Sequence, residues 1–148
     1  REHREYLEEE IDNRLPGGKV VDRLTDYLAI LSAGTLEHQI ELAVRKELLE
    51  ETGITAKTIE RFAISTSGGT IDWDLHYYVA KGLTFGKPQP EDDEKIEAVR
   101  LSLAEVIDLV LLKKMSEDRS RMVFLDYLLK YHPIEVAQRI KDLNTTNA

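Results

Sequence analysis

Residues 47–54 read ELLEETGI: Glu47, Glu50 and Glu51, then Thr52, Gly53 and Ile54. Upstream, Leu36, Ile40, Ala43, Val44 and Leu48 recur at intervals of three and four, which predicts a helix with one buried stripe that stops at Gly53. Residues three and four apart are neighbours on a helix, so the three glutamates share one face within about 100° of arc. Like charges this close repel each other. Either a cation sits among them or they form a solvated acidic face. Carboxylate oxygens suit Mg²⁺ or Mn²⁺, which keep several waters and bridge to phosphates.

Outward from this helix, residues 57–66 and 70–80 are rich in β-branched and aromatic residues, and Ser67-Gly68-Gly69 between them is a turn signal, so a β-hairpin is expected. In its second strand Ile71, Trp73, Leu75, Tyr77 and Val79 alternate with Asp72, Asp74, His76 and Tyr78. The first set reads as a core face; the second can meet solvent or ligand. Residues 82–94 read as a loop with an acidic tip, Glu91 to Glu94, followed by a strand at 95–102. Ser102 and Glu105 have the spacing of a capping box opening a helix to about Lys113. Further helices are expected from Ser116 to Tyr131 and from Pro133 to Leu143, with a frayed end beyond. Ahead of the glutamate helix, Leu15-Pro16-Gly17-Gly18 forms a turn, Lys19 to Val21 a short strand, and residues 22–34 a helical connection.

With 148 residues and 42% hydrophobic content, one domain with a real core is expected, residues 1–14 forming a charged arm and 132–148 a C-terminal helix and tail. The chain carries 20 basic and 28 acidic residues, which gives no electrostatic footprint for duplex nucleic acid. It has no cysteine, which excludes disulfides, thiolate metal sites and a cysteine nucleophile. No apolar run approaches the ~20 residues of a membrane span and the charged start lacks a signal-peptide pattern, so a cytoplasmic protein without membrane contact is expected.

The run Lys46 to Ile54 resembles the second half of the Nudix box, the signature of hydrolases acting on nucleoside diphosphates linked to another moiety. Glu47, Leu48, Glu50, Glu51, Gly53 and Ile54 match position by position; the family's arginine is Lys46. A lysine keeps the charge but loses the planar fork that orients a carboxylate. At the usual spacing the opening glycine and glutamate of the box fall on Ser32 and His38. Residues 15–22, LPGGKVVD, resemble the usual opening displaced by an insertion. A lengthened opening of this kind, a Trp73-Asp74-Leu75 strand and the run Glu117-Asp118-Arg119-Ser120 are similar to a subgroup related to ADP-ribose pyrophosphatases.

This resemblance implies a Nudix-like α/β (α+β) fold, a mixed sheet flanked by helices, and metal-dependent hydrolysis of a pyrophosphate bond. The metal would be Mg²⁺ or Mn²⁺, held by Glu47, Glu50, Glu51 and the backbone carbonyl of Gly17, with Gly18 allowing close approach. Glu94 is the general base that the resemblance implies, beside Glu50 as a catalytic carboxylate. Lys19, His76, Tyr78 and Arg119 are the candidate substrate contacts, the substrate being a small nucleotide such as ADP-ribose or a nucleotide sugar. For Arg119 a surface ion pair with Glu117 or Asp118 is the alternative. The relatives imply a homodimer. The family carries several strands ahead of its box where this chain has only residues 1–14, so a trimmed form, or a partner that completes the sheet, is expected. The rival reading is a non-catalytic Nudix-derived module that binds a nucleotide or a protein.

Overall fold

The computed structural model describes residue 32 and residues 34–66, 70, 74–89 and 96–147. These fall into two compact units that divide between Val99 and Arg100. The Pro16–Gly18 turn, the 19–21 strand, the 67–69 turn, Trp73 and the acidic tip lie outside the described residues.

In its described residues the first unit is a helix followed by two strands. Helix α1, Leu36–Thr52, starts at Thr35, whose hydroxyl accepts the His38 N–H at 3.3 Å. Ile40 is buried, and Leu36, Ala43, Val44 and Leu48 are half-buried, as the apolar spacing requires. The helix ends at Gly53, whose φ of 72° lies in the left-handed region that favours glycine. Strand β1, Ile54–Thr66, then pairs antiparallel with β2, Asp74–Phe85, in a register running from Ile54 opposite Phe85 to Thr66 opposite Asp74. Between Arg61 and Ala63 the register shifts, leaving Phe62 as the extra residue of a bulge. Arg45 fastens α1 to β1: one guanidinium nitrogen donates to the Ala56 carbonyl at 2.6 Å while two others reach Glu41.

Strand β2 continues past Ala80 to Phe85, where a loop was expected. Gly82 belongs in the strand because it faces Lys57 so closely that a Cβ would stand 2.8 Å from the lysine side chain. The ladder to Ile54–Thr58 outweighs the loop signal of the glycines. The expected open face of β2 is also corrected, since His76 and Tyr78 are half-buried like Leu75, Tyr77 and Val79. Only Asp74 is exposed among the described residues of that set. Residues 96–102, expected as a strand, have no regular structure. Ile96, Val99 and Leu101 are all exposed, and no neighbouring strand among the described residues takes up the backbone hydrogen bonds.

The described residues of the second unit are helical. Helix α2, Leu103–Leu111, opens with the capping box that the sequence predicts: the Glu105 N–H donates to the Ser102 hydroxyl at 3.2 Å and the Ser102 N–H to the Glu105 carboxylate at 2.6 Å. Helix α3, Asp118–Tyr131, and helix α4, Pro133–Thr146, meet at His132. Ile107 and Val110 of α2, Leu128 of α3 and Val136 of α4 form the core, with Phe124 and Leu125 packed against it. Arg139 of α4 makes a two-pronged bond to Asp108 of α2, at 2.6 and 3.1 Å. Instead of fraying after Leu143, α4 runs to Thr146, where Thr145 and Thr146 donate to the carbonyls of Lys141 and Asp142. No described helix is long and apolar enough to cross a membrane.

Candidate functional site

The last two turns of α1 place Glu47, Glu50 and Glu51 together, all half-buried. This is the negative end of the helix dipole, where carboxylates are disfavoured and cations favoured, and the last turn holds no basic residue. Lys46 lies one turn back and its ammonium is 3.5 Å from the Glu50 carboxylate. The lysine in the arginine's place thus makes a single-point contact with Glu50. At 61% side-chain exposure it is weakly held.

A second stretch of chain is fastened to the same helix end. The Gly86 N–H donates to the Gly53 carbonyl and the Gln89 N–H to the Glu50 carbonyl, both at 2.8 Å. A Cβ on Gly53 would stand 2.4 Å from the Gly86 oxygen, so the box glycine serves this close approach as well as the helix stop. The 86–89 clasp was not foreseen in the sequence. Its signal is Gly86 followed by Lys87-Pro88, a residue without a side chain just before a stiffened dipeptide.

Among the described residues, no group of three or more His, Asp or Glu side chains encloses a point where a metal could sit. The helix glutamates thus form no such group among the described residues, and the other expected donor, the Gly17 carbonyl, lies outside them. In kind the donors fit: hard oxygens at the negative end of a helix are suited to Mg²⁺ or Mn²⁺.

Lys19 and Glu94 lie outside the described residues. Tyr78 pairs with Arg61, about 23 Å of strand from Ile54 at ~3.3 Å per residue, and His76 pairs with Ile64, about 33 Å away on the same measure. Burial raises the pKa of the Tyr78 hydroxyl; Arg61 opposes this and Glu41 and Glu37 reinforce it. Those two glutamates belong to the first half of α1, so Tyr78 stands toward the opposite end of the helix from Glu51. The His76 Nδ1 atom is buried and has no hydrogen-bond partner among the described residues. His38 is exposed on the first turn of α1, about 18 Å along the axis from Glu50 at 1.5 Å rise per residue. Arg119, in the helical unit, contacts Glu117 at 2.9 Å, the ion-pair alternative, while Ser120 is buried and donates to the same carboxylate.

Residues 4–125 match the NUDIX domain model, well over half of the chain, and the protein belongs to the Nudix family. Over 103 residues, 66% of this chain and 55% of the relative, it is 29% identical to a protein called "Methanol dehydrogenase activator" from Bacillus methanolicus. The chain thus spans about half the length of that curated relative. Helix α4 lies beyond the family match.

Proposed function

We propose that this protein is a Nudix hydrolase that cleaves the pyrophosphate bond of a nucleoside diphosphate linked to another moiety, ADP-ribose or a nucleotide sugar being the leading class. The observation that carries the reading is the family box folded as a helix end, with Glu47, Glu50 and Glu51 gathered before Gly53. Glu47, Glu51 and the Gly17 carbonyl would hold Mg²⁺ or Mn²⁺, with Glu50 beside them. The bound ion supplies charge neutralisation at the pyrophosphate and acidifies a water. Lys46, 3.5 Å from the Glu50 carboxylate, adds a weak single-point contact to it. Glu94 is assigned as the base that takes the proton from the attacking water. It follows the anchored Gln89 in the sequence by five residues, a span of at most roughly 18 Å when extended. The products are two phosphomonoesters.

A panel of ADP-ribose, nucleotide sugars, dinucleoside polyphosphates and nucleoside triphosphates, with Mg²⁺ or Mn²⁺, tests this by phosphomonoester release. Metal-dependent turnover that falls by about a hundredfold or more in Glu51→Gln is the expected result. A second reading, a non-catalytic module that binds a nucleotide or a protein, is favoured by the activator name of the relative. Silence of the folded protein across the whole panel selects it.

A further inference from the structure

Lys87 stands inside the clasp that joins the 86–89 segment to the end of α1. The Gly86 and Gln89 peptides on either side of it donate to the Gly53 and Glu50 carbonyls at 2.8 Å. Its own carbonyl carbon is 2.5 Å from where a Cβ on Gly53 would be. Pro88 follows, which restricts the lysine backbone to extended conformations. The root of the side chain is therefore fixed at the carboxylate end of the helix, whose last turn carries no basic residue. The head is exposed and makes no ion pair with any described residue. A rigidly rooted ammonium on a flexible four-carbon stem is a mobile point charge, suited to phosphate oxygens. The setting favours such a charge: the chain has a net charge of −8, and Glu47, Glu50 and Glu51 lie in the last two turns of the helix. A diphosphate entering that field is repelled unless cations meet it.

We propose that Lys87 is a phosphate-binding residue of this site, holding the diphosphate of the substrate at the C-terminal end of α1. The proposal rests on the hydrolase reading and adds a substrate contact to it. Its structural rival is a lysine that only neutralises the glutamates.

Calorimetric titration of the full chain separates the two, with ADP in the presence of Mg²⁺ and Mn²⁺ alone as probes. The proteins are wild type, Lys87→Gln and Lys87→Arg, with hydrolysis of the panel substrates measured on the same samples. The expected result is ADP affinity lower by about tenfold in Lys87→Gln, largely restored in Lys87→Arg, with Mn²⁺ affinity unchanged and KM rising more than kcat falls. Equal ADP affinity in wild type and Lys87→Gln overturns the proposal, and tighter Mn²⁺ binding with unchanged ADP affinity identifies the neutraliser. If wild type hydrolyses a substrate while Lys87→Gln matches it, only the lysine assignment fails. If wild type neither binds ADP nor hydrolyses the panel, the hydrolase reading fails with it.

Discussion

Gly53 holds a left-handed φ of 72° and lies against the Gly86 oxygen, so Gly53→Ala meets both backbone strain and a 2.4 Å contact with main-chain atoms that cannot swing away. The left-handed conformation alone costs about 1–2 kcal/mol for a residue with a Cβ. Urea unfolding of Gly53→Ala is therefore expected to show a loss of roughly 2 kcal/mol or more, and an unchanged midpoint would contradict the clasp. In the helical unit, Glu105 reads out its cap through pH. The backbone and hydroxyl of Ser102 hold its carboxyl below the usual range. A depressed pKa contributes stability that is present above the ordinary carboxylate pKa and is lost as pH falls through the folded value. The stability difference between wild type and Glu105→Gln should thus shrink between neutral pH and pH values below the carboxylate range. Ser102→Ala removes the reciprocal bond and should cost about 1 kcal/mol at neutral pH. A pH-independent difference for Glu105→Gln would show that its carboxylate does not cap the helix.

Among the elements, those with local punctuation were legible in the sequence down to their limits, whereas the hairpin was legible as a pair of strands but not in where its second strand ends. Gly53 stops α1, and Ser102 with Glu105 opens α2, so these limits follow from chemistry a few residues apart. The end of β2 depends on Ile54–Thr58, far away in sequence, and no local signal shows that Gly82 sits opposite Lys57. The same limit applies to the site. Glu47, Glu50 and Glu51 share a face by helical period, whereas the approach of Gly86 and Gln89 to that helix end is a tertiary fact. His76 and Tyr78 were read as substrate contacts from strand alternation, which gives a face and not a position along it; the register sets them opposite Ile64 and Arg61. Helix α4 gives an element-scale prediction. It lies beyond the family match, yet Val136 is 2% exposed in the core and Arg139 grips Asp108. Val136→Ala should destabilise the helical unit by about 1–3 kcal/mol. Truncation after Tyr131 should abolish its cooperative unfolding. A cooperative melt retained by the truncated chain would show that α4 is dispensable.

For the whole molecule, the question is whether the acidic helix end is a metal site or a solvated face, and stability answers it without any substrate. A ligand that binds only the folded state stabilises it by RT ln(1 + [L]/Kd), about 2.7 kcal/mol at a hundredfold excess over Kd. Weak surface screening of a chain with net charge −8 also raises stability on adding salt, but it falls off with the Debye length and does not distinguish one divalent ion from another. Thermal melts at fixed high ionic strength, with Mn²⁺, Mg²⁺ or Ca²⁺ at equal concentration, therefore isolate the specific term. The expected outcome is a melting temperature that climbs with Mn²⁺ or Mg²⁺ in the wild type and stays level in Glu47→Gln and Glu51→Gln. Glu37→Gln, an exposed substitution at the far end of the same helix, should climb as the wild type does. Equal shifts in all four proteins would mean that the three glutamates are a solvated face and that the Nudix fold of this chain is used for binding rather than hydrolysis.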